Sequence, residues 1–139
     1  MTELNQAEEA FAQATARAQE LSAMGSLELH AAVTGGPSQA AALLSYHRRL
    51  RAANDVRTIA YMRVRDLHAA QGLPPLEGPF TLIGPDYGPM PTAPPGTNII
   101  TGRESTWIRL LGSLNGGDLD QIAKCLGELD GWIFGGTPS

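Results

Sequence analysis

The sequence predicts a mainly α-helical protein with an N-terminal helical bundle or hairpin, an extended proline-rich arm with two short strands, and a C-terminal helical hairpin. Apolar residues recur at spacings of three and four in the first 23 residues and again between residues 40 and 71. Eight of the ten prolines lie between Gly72 and Gly102, and two glycine-punctuated apolar patterns follow. We therefore divide the 139-residue chain into residues 1–72, 73–101 and 102–139, within one predicted domain.

The first helix is predicted over residues 2–23. One stripe of it carries Leu4, Ala7, Phe11, Ala14, Ala18 and Leu21. A stripe this rich in alanine needs a second helix to cover it, so we expect either packing within the chain or self-association, with Phe11 as a partner contact. Gly25 is predicted to end the helix, and Ser26 to cap a short second helix that reaches Val33.

A long helix is predicted after the break at residues 34–38, where glycines stop one helix and Pro37 suits the start of the next. Its apolar face contains Leu43, Tyr46, Leu50, Ala53, Ala60, Val64 and Leu67. Arg57 lies in the middle of this face, and a buried, unpaired arginine is costly. We expect either a carboxylate beside Arg57 or, by preference, a break in the helix near Asn54 and Asp55.

Arginines of the long helix suggest an alternative function. A small dimeric nucleic-acid-binding regulator would use Arg48, Arg49, Arg51, Arg63 and Arg65 as phosphate contacts. These side chains are scattered around the helix and interrupted by Asp55 and Asp66, whereas a groove binder concentrates its positive charge on one face. The net charge of −4 also disfavours nucleic acid, so we prefer ion pairs with nearby acids, such as Arg51 with Asp55.

The arm begins where Leu73, Pro74, Pro75 and Leu76 end helix formation. Residues 80–83 and 98–101 are β-like and would pair as a hairpin or add to the edge of another sheet. Between them, Tyr87 and Met90 are predicted to be exposed on a stiff backbone. The arm either packs as a surface loop or inserts into a partner's groove, with Tyr87 and Met90 as the contacts.

The C-terminal region is predicted to be a helical hairpin. Thr101 and Glu104 have capping-box spacing, as do Asp118 and Gln121 after the turn at residues 115–117. The two apolar faces contain Trp107, Leu111 and Leu114 on the first helix, and Ile122, Cys125 or Leu126, and Leu129 on the second. The cluster of Trp132, Ile133 and Phe134 must be buried by this chain or by another, which makes it a candidate partner contact.

Residues 118–127 resemble the first helix and turn of a helix-turn-helix, in which an Ile-Ala pair is followed by Leu-Gly. The resemblance implies a following recognition helix with polar and basic side chains. Residues 128–136 instead hold two acids, three glycines and no base. No DNA-binding role is therefore carried over to this segment.

No catalytic, cofactor-binding or metal-binding residue is predicted. His30, His47 and His68 lack metal-ligand spacing, and no glycine-rich phosphate loop or nucleophile turn occurs. Cys125, the single cysteine, is expected to be a small core residue. A small helical enzyme, our second alternative, would need His47 or His68 to face a carboxylate, with Tyr46 and Arg51 nearby.

Three features favour a non-enzymatic assembly or interaction protein: the alanine-rich stripe of the first helix, the stiff arm and the apolar cluster at residues 132–134. Composition agrees with this prediction. Apolar residues make up 42% and charged residues only 17%, which indicates buried or partner-covered surface. We expect a homo-oligomer, a complex with other protein subunits, or both, in the cytoplasm and without membrane contact. By analogy of architecture, a phage virion connector would also fit, with the virion as its location.

Overall fold

A computed structural model describes residues 2–89, 91 and 104–132, and this part of the chain is mainly helical. Its elements are α1 (Glu3–Ala23), α2 (Gly25–Gly35), a short 3₁₀ helix (Pro37–Gln39), α3 (Ala40–Ala70), α4 (Glu104–Gly116) and α5 (Leu119–Glu128). The mainly α fold is confirmed. Within the described residues no helix is long and apolar enough to span a bilayer.

The chain forms two compact units that interleave along the sequence. One comprises Met1–Ala23 and Arg49–Pro85, and the other comprises Met24–Arg48 and Asp86–Ser139. Helix α3 contributes its first residues, up to Arg48, to the second of these units and the rest to the first.

In the first unit, α1 runs antiparallel to the C-terminal part of α3. Glu3 pairs with Arg63 near one end, and Leu21 packs with Leu50 near the other. The predicted stripe of α1 is confirmed, because Ala7, Ala14, Ala18 and Leu21 are buried. Alanines at these positions allow the helices to approach closely, and the covering helix belongs to the same chain.

Helix α3 is continuous through Asn54 and Asp55, so the expected break there is wrong. The Asn54 side chain is buried, where Nδ2 donates to the carbonyl of Leu50 at 3.1 Å and to that of Ile83 at 2.8 Å. Its Oδ1 accepts from the Ile83 backbone amide at 2.9 Å. Asn54 thus pairs with both backbone groups of Ile83, as a neighbouring strand would.

Residues 80–83 therefore form no strand, which corrects the β prediction, while residues 98–101 lie outside the described residues. Residues 80–84, which we call the extended segment, instead lie along the seam between α1 and α3. Besides Asn54, it is fixed by Ser22, whose hydroxyl donates to the carbonyl of Gly84 at 2.7 Å. The backbone groups of this segment thus form hydrogen bonds with side chains of α1 and α3, and not with another strand.

Arg57 is satisfied without a carboxylate from the described residues, so neither explanation predicted for it holds. Its Nε donates to the hydroxyl of Thr15 at 3.0 Å, and Nη1 donates to the carbonyl of Thr81 at 2.7 Å. The guanidinium lies 4.5 Å from the centre of the Phe80 ring and 5.4 Å from that of Phe11. Planar guanidinium groups stack well on aromatic faces, so Arg57 joins α1, α3 and the extended segment.

In the second unit, Gly25 begins α2 and does not end α1, and Ser26 lies inside α2 without capping it. A β-carbon on Gly25 would lie 2.7 Å from the carbonyl oxygen of Asp86. The glycine thus permits close approach of two backbones, which is a different role from the predicted helix stop.

The C-terminal hairpin of α4 and α5 is confirmed. Gly117, with φ of 73°, makes the turn, and the Asp118 side chain accepts from the backbone amide of Gln121 at 3.2 Å. Arg109 on α4 forms an ion pair with Glu128 on α5. The predicted faces meet in a core that includes Trp107, Leu114, Ile122, Cys125, Leu126 and Leu129, together with residues of α2 and the start of α3.

Candidate functional site

The most exposed large apolar side chains on α3 form a stripe, which we call the α3 stripe: Val56, Ile59 and Met62. Their exposed fractions are 60%, 70% and 43%. At about 100° per residue, Ile59 lies roughly opposite the buried face formed by Leu50 and Val64. Three consecutive turns of one helix therefore expose large apolar side chains to solvent. Isolated exposed apolar residues are normal on a protein surface, whereas adjacent ones form a patch.

An apolar groove adjoins the α3 stripe on the side of the α1–α3 seam away from the extended segment. It has a volume of about 310 Å³ and is lined by Ala14, Arg17, Leu21, Arg49, Ala52, Ala53 and Val56. Val56 belongs to both the groove and the stripe. Three of the seven lining residues are alanines, which leaves room for an apolar side chain from another helix.

Opposite charges flank the centre of the α3 stripe. Asp55 precedes Ile59 by four residues, and Arg63 follows it by four. All three are exposed and lie on the same row of the helix surface. Arg63 also contacts Glu3 of α1 at 3.8 Å, but both side chains are more than half exposed, so this pair contributes little.

The predicted exposure of Tyr87 at the tip of the arm is wrong. It is 7% exposed and packs in the core of the second unit, with ring centroids 6.5 Å from Tyr46 and 6.2 Å from Trp107. Burial, with smaller contributions from Tyr46 and Glu28, raises the pKa of the Tyr87 phenol well above its ordinary value. Its hydroxyl has no hydrogen-bond partner among the described residues.

The other predicted partner contacts have different outcomes. Trp132 is buried in the second unit's core, by this chain itself. Phe11 is half-buried against Tyr61 and Phe80, and it also lines a second groove of about 500 Å³ beside α1. Met90, Ile133 and Phe134 lie outside the described residues.

The five arginines proposed as phosphate contacts are all exposed: Arg48, Arg49, Arg51, Arg63 and Arg65. They do not share one face, because at about 100° per residue their positions spread over more than half of the circumference of α3, from Arg65 to Arg49. Arg65 lies 3.3 Å from Asp66, and Arg63 lies near Glu3. Arg63 and Arg65 thus each have an acidic neighbour, and the positive charge is dispersed.

The histidines and the cysteine have mainly structural contacts. His47 Nε2 donates to Oδ1 of Asn115 at 2.9 Å, and His68 Nδ1 donates to the carbonyl of Pro74 at 2.9 Å. His30 is exposed, and the described residues contain no group of three or more potential metal ligands. Cys125 is buried, which raises the pKa of its thiol despite the opposing charge of Arg109.

The core face of α3 does not by itself predict the α3 stripe. The signal was present, since Ala52, Val56 and Ile59 follow the same spacing of four and three that marks a core stripe. A helix with apolar residues on two sides needs a second covering surface.

No protein-family model, curated protein or solved structure matches the chain.

Proposed function

We propose that this protein is a non-enzymatic assembly protein, which works as a homo-oligomer or as a small structural component of a larger complex. The observation that carries the proposal is the α3 stripe, in which Val56, Ile59 and Met62 are exposed on successive turns of one helix. Covering these side chains removes apolar surface from water, which is the main favourable term in most protein association.

The groove beside the α3 stripe supports the same proposal. Its lining is dominated by alanines, Leu21 and Val56, with Arg17 and Arg49 contributing their stems and charges. Such a composition suits an apolar side chain from a neighbouring helix, since interface centres are apolar and their rims are polar.

Substitution of the stripe's central residue tests the proposal. We expect Ile59→Glu to lower the mass measured by light scattering, because a carboxylate at the centre of an apolar contact would be buried without a partner. Ile108→Glu is the matched control, since Ile108 is also helical and 62% exposed but lies on α4. An unchanged mass for Ile59→Glu would remove the support that the stripe gives to the proposal.

A further inference from the structure

We propose that the occupant of the α3 stripe is a second copy of this chain, bound antiparallel about a two-fold axis that passes beside Ile59. This inference rests on the proposed assembly function and names its partner and its geometry. The argument depends on the order of charges around Ile59.

A two-fold interface is self-complementary, so that residue i of one copy meets residue j of the other, and j meets i. Asp55 and Arg63 lie four residues before and four residues after Ile59. An antiparallel arrangement centred on Ile59 therefore brings each Asp55 to the partner's Arg63. Both contacts join opposite charges, and the same pairing occurs twice in the dimer.

Helix geometry brings these residues into reach. Asp55, Ile59 and Arg63 form one row of residues spaced by four, and such rows on two helices lie parallel when the helices cross at about −50°. The row of one copy then lies beside the row of the other. The neighbouring rows carry Val56 on one side and Met62 on the other, so either groove that receives the partner's row offers its Ile59 an apolar side chain.

A parallel arrangement of the same surface is disfavoured by its charges. It would place each Asp55 beside the partner's Asp55 and each Arg63 beside the partner's Arg63. Like charges that face each other across an interface oppose association, so the order of residues selects the antiparallel orientation. The exposed pair between Arg63 and Glu3 is too weak to prevent the exchange of partners.

The test exchanges the charges of the full chain. Asp55→Arg places two arginine pairs in the contact, and Arg63→Asp places two aspartate pairs in it. We expect each variant alone to associate at least about tenfold more weakly than the unmodified chain. The double variant, D55R with R63D, restores both opposite-charge contacts and should recover the association.

A mixture of the two single variants gives the sharper test. One chain then carries arginine at 55 and 63, and the other carries aspartate at both, so a heterodimer satisfies both contacts. We expect the mixture to form dimers under conditions in which neither variant does. Because all the substituted side chains are exposed, we expect the helices to remain intact, and circular dichroism checks this.

The outcomes separate this inference from the proposed function. If the unmodified chain associates and Ile59→Glu dissociates it, but the charge variants associate normally, the antiparallel pairing is wrong and the assembly function stands. If Ile59→Glu also leaves the association unchanged, another surface forms the oligomer, and the pairing is again overturned. A chain that is monomeric at every concentration overturns both the pairing and self-assembly.

Discussion

At the scale of single residues, Asn54 makes the most specific attachment between the extended segment and α3. Its side chain bonds both backbone groups of Ile83 and the carbonyl of Leu50. Replacing it with alanine would leave the Ile83 amide and carbonyl partly buried without these partners, and an unmade hydrogen bond costs more than a made one contributes.

We expect Asn54→Ala to lower the free energy of unfolding by about 1–3 kcal/mol, because those groups lose their partners. Urea unfolding followed by circular dichroism measures the change. Asn5→Ala is the control, since Asn5 is exposed on the first turn of α1, and we expect it to stay within about 0.5 kcal/mol. Equal effects for the two substitutions would show that the Ile83 contact contributes nothing.

Tyr87 gives a prediction for alkaline pH. Because burial raises the pKa of its phenol, the neutral phenol is favoured in the folded state. The associated stability is present below the unfolded phenol's pKa of about 10, and it is lost as the pH rises above that value, when the unfolded chain releases the proton.

Tyr87→Phe should therefore make stability less dependent on pH above about 10. At neutral pH we expect unchanged or slightly higher stability, by up to about 1 kcal/mol, because the substitution removes a buried hydroxyl without a partner among the described residues. Thermal unfolding from neutral pH through the alkaline range measures both effects. An unchanged alkaline loss, or a large loss at neutral pH, would contradict this account of Tyr87.

At the scale of elements, the start of α2 depends on the absence of a side chain at Gly25. An added β-carbon would meet the backbone oxygen of Asp86 at 2.7 Å, and backbone atoms cannot move aside as a flexible side chain can. Gly112 on α4 offers a matched comparison, because a β-carbon there meets nothing within 4 Å.

We expect the two alanine substitutions to change the free energy of unfolding in opposite directions. Gly112→Ala should stabilise the protein by up to about 1 kcal/mol, since alanine is the better helix former. Gly25→Ala should destabilise it by about 1–3 kcal/mol, because the clash exceeds that gain. Chemical unfolding of both variants measures the difference, and stabilisation by Gly25→Ala would show that the contact with Asp86 is loose.

The elements also show how far the sequence predicts this fold. The α1 stripe and the α4–α5 hairpin follow from local spacing and from caps such as Asp118, which depend on residues close in sequence. Arg57 and Gly25 could not be explained from sequence, because their partners Thr81 and Asp86 are distant along the chain. Helix periodicity locates a side chain on a face and does not identify what covers that face.

The candidate site also has one feature that local sequence predicts and one that depends on residues distant in the chain. Exposure of Val56, Ile59 and Met62 could have been inferred from a complete reading of the α3 wheel. Burial of Tyr87 could not, because a tyrosine among glycines and prolines has the composition of an exposed turn. Its covering residues Tyr46 and Trp107 come from helices at distant positions in the chain.

At the scale of the whole molecule, each of the two units has its own buried cluster, and the α3 stripe belongs to the first. Removing the arm between Pro74 and Pro95 would take away Ile83 from the first cluster and Tyr87 from the second. Such a deletion would change folding as well as association. Single substitutions on the stripe avoid this difficulty, since their side chains are exposed.

Sedimentation equilibrium of the unmodified chain, over a wide range of concentration, tests self-assembly through the α3 stripe most directly. We predict a mass that rises with concentration from the monomer's 14.7 kDa towards twice that value, because mass action favours a dimer at high concentration. Under the same conditions, Ile59→Glu should stay near the monomer mass. A chain that remains at the monomer mass at every concentration would contradict the account.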